Sequence, residues 1–245
     1  MKVLVVIPAR YASTRFPGKP LALIAGKPMI HHVWERCRQA QHVNRVIVAT
    51  EDERIREACT AFGAEVELTS PDHASGTDRI AEVSRRHEDY AGVLNVQGDE
   101  PGILPETVTA VAAALADPQH EITTAVTVTN SDDDLTNPNV VKAVCDLAGN
   151  ALYFSRAGIP FQRDSNAPRP VYYRHQGIYG FQRTILQRVT QLPASPLERA
   201  ESLEQLRWLQ SGYKIHCVVV EGCSIGIDTP QDLQSFEKIW QSHNE

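Results

Sequence analysis

The sequence predicts an α/β fold, a three-layer α/β/α sandwich around a predominantly parallel mixed sheet with a β-rich insertion, and three observations point to it. Short β-branched runs, KVLVVI at 2–7 and RVIVAT at 45–50, lack polar alternation and so suit strands buried on both faces. Amphipathic segments of helical spacing separate these runs, the order from which crossover-connected parallel strands are built. Polar loops at 8–20 and 97–101 follow directly on strands, at the sheet edge where open α/β sheets place their ligands. The 245 residues suffice for one large domain, read as 1–245 with the insertion around 130–180.

The elements follow in order. Residues 28–40, PMIHHVWERCRQA, put Met29, Ile30, Val33, Trp34 and Cys37 on one helical face, with Pro28 in the first turn. His31 and His32 are adjacent on that helix and point apart, which fits packing or solvation better than a shared metal. A strand at 45–50 leads to a helix at 52–62, with Gly63 at its C′ position, and a strand at 64–68. Ser75 or Thr77 caps the next helix, DRIAEVSRRH, whose N-terminus is also suited to an anion; capping alone would account for both residues. A strand at 93–96 and a helix at 105–116 precede the alternating strand ITTAVTVT at 122–129. Residues 140–145 and 151–154 read as a hairpin with a tight turn at Gly149 and Asn150, and 163–170 as an exposed excursion. The chain closes with a strand at 172–181, helices at 183–191 and 197–209, a strand at 214–220 and a helix after Pro230.

Composition narrows the function. A net charge of −6 gives no broad basic face for a nucleic acid, so the cations near the N-terminus are a local device. Five scattered cysteines without CxxC spacing read as reduced structural thiols. No signal-peptide pattern and no apolar run of the ~20 residues a membrane span requires is present, so a soluble cytoplasmic protein is expected.

The chemistry concentrates in two places. Arg10, Arg15 and Lys19 share a loop with Pro17, Gly18 and Pro20, while Ser13 and Thr14 add hydroxyls and amides between them. Guanidinium forks and an ammonium fit a polyanion such as a triphosphate better than one carboxylate. Neither GxxxxGK[ST] nor GxGxxG occurs, so the phosphates need another cradle. Asp99 and Asp228 each follow a strand and can reach one sheet edge, as Mg²⁺ bridging substrate phosphates would require, although Asp228 before Thr229 and Pro230 is also a helix-cap pattern. No GxSxG elbow is present, and positioned cations with a metal favour phosphoryl or nucleotidyl transfer. The acidic run at Asp132 to Asp134 offers a glycosyltransferase-like DxD, but it reads as a solvated polar loop.

Seven blocks in order, VVIPARYASTRFPGKPL, DHASGTDR, NVQGDEP, YFSRAGIP, HQGIYGF, SLEQLR and GIDTPQDL, resemble the 3-deoxy-manno-octulosonate cytidylyltransferases, or CMP-Kdo synthetases. The resemblance implies a sugar-nucleotidyltransferase (Rossmann-like) fold, and CTP and the acidic sugar Kdo as substrates, with Mg²⁺, for lipopolysaccharide synthesis. On matching positions it implies that Arg10, Arg15 and Lys19 hold the triphosphate and that Ser75 and Gly76 line the nucleotide site. Gln97 would stand beside the reacting groups, with Asp99 and Asp228 on the metal, and Arg156, His175, Tyr179, Glu204 and Gln205 around the sugar. A homodimer using the insertion is implied as well. The chain departs from the family pattern in a short 159–172 segment, at Gln176, and at Cys223 and Ser224. Two other readings are a cytidylyltransferase for 8-amino-Kdo or a sialic acid, and a nucleotide-binding module without catalysis.

Overall fold

The computed structural model describes residues 1–12, 15–222, 224 and 226–244. Ser13, Thr14 and Cys223 lie outside the described residues. The strands among the described residues are β1 (Val3–Ala9), β2 (Leu23–Ile24), β3 (Lys27–Pro28), β4 (Arg45–Thr50), β5 (Glu65–Leu68), β6 (Gly92–Asn95), β7 (Ile122–Thr129), β8 (Lys142–Cys145), β9 (Ala151–Ser155), β10 (Tyr172–Gln182) and β11 (Ile215–Val219). The helices among the described residues are α1 (Met29–Gln39), α2 (Glu53–Ala61), α3 (Gly76–Arg86), α4 (Pro105–Leu115), α5 (Asp132–Thr136), α6 (Arg183–Val189), α7 (Pro196–Glu201), α8 (Gln205–Gln210) and α9 (Pro230–Asn244), and a 3-10 turn covers Lys19–Leu21.

The main sheet runs β11-β7-β10-β6-β1-β4-β5, with β8 on β10 and β9 on β8. β1 pairs in parallel with β4 and β6, β4 with β5, and β11 with β7. β10 alone in that path is antiparallel to both neighbours. The carboxyl ends of β1, β6 and β11 therefore share one edge, and loops from distant parts of the chain meet there.

Alternation along β1 explains the layers. Leu4 and Val6 face a core with Ile80 and Val83 of α3, Leu186 of α6 and Trp208 of α8. Val3, Val5 and Ile7 face the other core, with Val33 of α1, Ile55 of α2 and Val111 of α4. A strand enclosed on both sides has no use for polar alternation, and all seven residues of β1 are buried. A third, small cluster joins Ile24, Met29, Ile227 and Phe236, with Phe16, Leu233 and Trp240 against it. Cys37, Cys59, Cys145 and Cys217 are free thiols.

Local signals decide the boundaries. Ser75 caps α3 and forms a reciprocal capping box with Asp78, so Thr77 is released for another task. Gly63 follows α2 with φ 85, as its C′ position requires. His32 is buried and its Nε2 lies 2.9 Å from the Ile24 carbonyl oxygen, a packing role.

Three expectations are corrected. The helix expected at 197–209 is two helices, because Ser202 takes the left-handed conformation (φ 52, ψ 48) and ends α7. The run Asp132 to Asp134 is the first turn of α5, capped by the Ser131 hydroxyl, with acids at the favourable end of the helix dipole. The β8–β9 connection spans 146–150, wider than a two-residue turn; Asp146 N donates to the Asn150 carbonyl (2.8 Å), and Gly149 has φ 83.

Candidate active site

β1 ends at Ala9, and the chain turns at once into the cation loop. Gly18 N donates to the Tyr11 carbonyl at 2.9 Å, and the left-handed Gly18 (φ 71) turns the chain into the 3-10 helix that carries Lys19. Arg10 Nη2 donates to the Ala74 carbonyl (3.1 Å), drawing the loop toward the N-terminus of α3. On the opposite wall, Asp99 follows β6 and Asp228 precedes α9. Their segments are tied together, since Ile227 N donates to the Asp99 carbonyl at 2.9 Å.

Asp228 is spared from capping. Thr229 Oγ1 accepts from Asp232 N (3.2 Å), and Asp232 Oδ2 accepts from Thr229 N (2.9 Å) and Asp228 N (3.1 Å). The Asp228 side chain is thereby left to the cleft. Lys19 Nζ donates to Asp99 Oδ2 at 2.6 Å and to Asp228 Oδ1 at 3.1 Å, and Arg15 Nη2 lies 3.1 Å from Asp228 Oδ2. Burial pulls the Lys19 ammonium toward neutrality, but Asp99 and then Asp228 outweigh it and hold its pKa above the usual lysine value.

A cleft of about 350 Å³ brings together Arg10, Arg15, Lys19, Gly76, Gln97, Asp99 and Asp228 over the end of β1. Gly98 allows this closeness, because a Cβ there would stand 2.9 Å from the Pro8 carbonyl oxygen. Ser75 is one residue away, its hydroxyl committed to the capping box. Two carboxylates converging on one cation form a donor set of hard oxygens that suits a divalent ion. Among the described residues no group of three or more His, Cys, Asp or Glu side chains could hold a metal, so remaining ligands would come from substrate and water.

The other five expected residues lie outside this cleft, toward β9, β10 and α8. The Arg156 guanidinium is committed to backbone carbonyls, Nε to Glu201 at 2.7 Å and Nη1 to Pro138 at 2.9 Å. His175 Nε2 is 2.9 Å from Thr124 Oγ1, and its ring sits edge-on to Phe154 at 5.0 Å. It keeps some exposed surface but lies deep enough that burial pushes its pKa down to about 3. Its imidazole is therefore uncharged at neutral pH. Tyr179 is buried, and its hydroxyl has no hydrogen-bond partner among the described residues. A buried orphan donor of this kind is a natural ligand contact. Gln205 is buried at the start of α8.

Glu204 links the two halves. Its Oε2 accepts from Thr77 Oγ1 at 2.6 Å and its Oε1 from Arg207 Nη2 at 2.6 Å, while burial raises its carboxyl pKa. Thr77 belongs to α3, whose first residue Gly76 lines the cleft. Glu100 had no assigned role in the sequence. It is enclosed beside Asp99, where burial pushes its carboxyl up to about 7, and it accepts a hydrogen bond from the Gly177 amide. Its place directly after Asp99 in the NVQGDEP block was the available signal.

A mostly parallel sheet whose carboxyl edge gathers three cations, two carboxylates and a helix N-terminus around one cleft defines an α/β protein that handles a phosphorylated ligand. A sequence model of the cytidylyltransferase family matches residues 4–215. The 3-deoxy-manno-octulosonate cytidylyltransferase of Marinobacter nauticus is 52% identical, over 98% of this chain and 98% of its own. That of Solibacter usitatus is 47% identical, over 98% of this chain and 95% of its own. The solved structure of CMP:2-keto-3-deoxy-manno-octonic acid synthetase complexed with CTP superimposes with a TM-score of 0.93 at 42% identity, covering 99% of this chain and 100% of that one. The chain belongs to the 3-deoxy-manno-octulosonate cytidylyltransferase family of cytidylyltransferases.

Proposed function

We propose that this chain transfers CMP from CTP to the anomeric hydroxyl of 3-deoxy-D-manno-octulosonate (Kdo), giving CMP-Kdo and pyrophosphate for lipopolysaccharide synthesis. The observation that carries this reading is the convergence of Arg15 and Lys19 with Asp99 and Asp228 in one cleft. Relatives of nearly full-length coverage with that activity support it.

Arg10, Arg15 and Lys19 bind the triphosphate, and the N-terminus of α3 at Ser75 and Gly76 adds its dipole on the nucleotide side. Mg²⁺ bound by Asp99 and Asp228 would supply Lewis-acid polarisation of the α-phosphoryl group and acidify the attacking hydroxyl. Arg156, His175, Tyr179, Glu204 and Gln205 surround the sugar. Neutral His175 serves as a hydrogen-bonding contact and the Tyr179 hydroxyl as an unclaimed donor. The sugar hydroxyl attacks the α-phosphorus in line and gives up its proton to water, the bond to the pyrophosphate oxygen breaks, and Arg15 and Lys19 stabilise the departing charge. Gln97, on the cleft wall, stands beside the reacting groups. No covalent enzyme intermediate is required.

The remaining parts of the reading are a cytoplasmic homodimer whose contact uses the insertion within the single 1–245 domain. Leu152, Phe161 and Val171, all exposed around the insertion, support that contact. Among the described residues no helix is long and apolar enough to cross a membrane. Pyrophosphate release measured with CTP and UTP against Kdo, 8-amino-Kdo and a sialic acid tests the assignment. Turnover only with CTP and Kdo supports it; selective turnover of another sugar acid replaces Kdo, and no release with any sugar removes the catalytic reading.

A further inference from the structure

We propose that Lys19 is the resident counter-cation of the Asp99 and Asp228 pair, and that it keeps divalent metal out of the cleft until a nucleotide draws the ammonium away. The inference rests on the reading that these two carboxylates hold the metal, and it adds an order of events to that reading.

Lys19 Nζ lies within hydrogen-bonding distance of both carboxylates, at 2.6 Å and 3.1 Å, and its side chain is only 13% exposed. It is therefore an enclosed bridge and not a surface ion pair. Its backbone is fixed, because Lys19 N donates to the Phe16 carbonyl (3.1 Å) and the Lys19 carbonyl accepts from Ala22 N (3.1 Å). Movement of the ammonium must then come from its flexible four-carbon stem. Arg15 differs: of the two carboxylates it pairs with Asp228, and its side chain is 66% exposed.

Charge decides the sequence of binding. Asp99 and Asp228 are paired with Lys19 and Arg15, and Arg10 is a further cation on the same cleft, so the two carboxylates already have their countercharge. A divalent ion on the same carboxylates would sit against an enclosed ammonium and leave the cluster strongly positive in a partly desolvated cleft. A triphosphate reverses this, since its oxygens offer Lys19 and Arg15 new partners as the carboxylates turn to the metal. Metal and nucleotide then favour each other by the same factor, because coupling is reciprocal. Lys19 serves both states, first holding two like charges together and then holding phosphate.

The test is Mn²⁺ binding to the nucleotide-free protein, followed by the electron paramagnetic resonance signal of free Mn²⁺. Lys19→Met is expected to raise Mn²⁺ affinity about 10-fold over the natural chain, within the usual range of coupling between sites. Lys19→Gln, which keeps a donor but no charge, should do the same and covers a Met variant that fails to fold. Arg15→Met should raise affinity by clearly less. Unchanged or weaker Mn²⁺ binding in both Lys19 variants overturns the counter-cation role, as does an equal gain in Arg15→Met, which would mean a general charge effect. Adding Asp99→Asn to Lys19→Met separates the two readings. If that change abolishes the Mn²⁺ site, the carboxylate assignment stands whatever Lys19 does; if binding persists, the carboxylate assignment fails and takes the proposal with it.

Discussion

Asp228 and Thr229 are neighbours with separate work, and substitution should divide them. Thr229 holds the start of α9 through Asp232, so Thr229→Ala is expected to lower stability by about 1 kcal/mol in denaturant unfolding, with catalysis largely kept. Asp99→Asn and Asp228→Asn should each lose at least ~100-fold in kcat with little change in Tm, the scale of removing a principal electrostatic stabiliser. Activity near that of the natural chain in either variant contradicts the metal role. The sequence placed Asp228 after a strand but left it open between cap and ligand, because the choice depends on where Asp232 turns. His175 was legible as a position and not as a state, since its environment comes from Thr124 and Phe154 on other strands. With its folded pKa near 3 and an unfolded value near 6.5, the unfolded chain binds more protons between these limits. Stability from this group is thus present above about pH 6.5 and declines as pH falls toward about 3. Its imidazole resonances should stay fixed from about pH 8 to about pH 5, while an exposed histidine titrates.

Strands and helices were the most legible scale, because burial on two faces and helical spacing are local properties of β1, β4 and α1. What failed was a long-range decision. Apolar spacing continues across 197–209, but the break at Ser202 is set by distant partners. Arg156 Nε holds the Glu201 carbonyl and Ser155 Oγ donates to Glu201 Oε1 (2.6 Å) at the end of β9. Without that break Glu204 would not meet Thr77. Ser202→Gly should therefore be tolerated in thermal unfolding, while Ser202→Val, β-branched at positive φ, should destabilise by about 1 kcal/mol or more. The irregularity in β10 between Gln176 and Tyr179 belongs to the same scale. A Cβ on Gly177 would meet Glu100 Oε1 at 2.5 Å, so Gly177→Ala must displace either the Glu100 side chain or the segment that carries it beside Asp99. A fall in kcat larger than the fall in Tm suggests is the expected result; unchanged kcat would mean the Glu100 side chain yields instead.

For the molecule as a whole, topology makes the site a junction of the two ends of the chain. The alternation of strands and helices was enough to infer a layered α/β body with its ligand edge. It gave no sign of the small cluster in which Phe16, Ile24, Ile227, Phe236 and Trp240 bind the cation loop to α9. That cluster is remote in sequence and built from residues that look like ordinary helix faces. Phe236→Ala should cost up to about 3 kcal/mol by opening a cavity there, and should weaken CTP binding in titration calorimetry because the cluster carries both walls of the cleft. CTP affinity equal to that of the natural chain would show the walls to be independent of it. The ion pair of Lys19 with Asp228 spans 209 positions. During synthesis most of the sheet can pair before Asp228 and α9 leave the ribosome. A chain cut short near its end can therefore own most of a core and all the phosphate-binding cations and still lack the Asp228 wall of its cleft, so incomplete products are expected to hold nucleotide without turning it over.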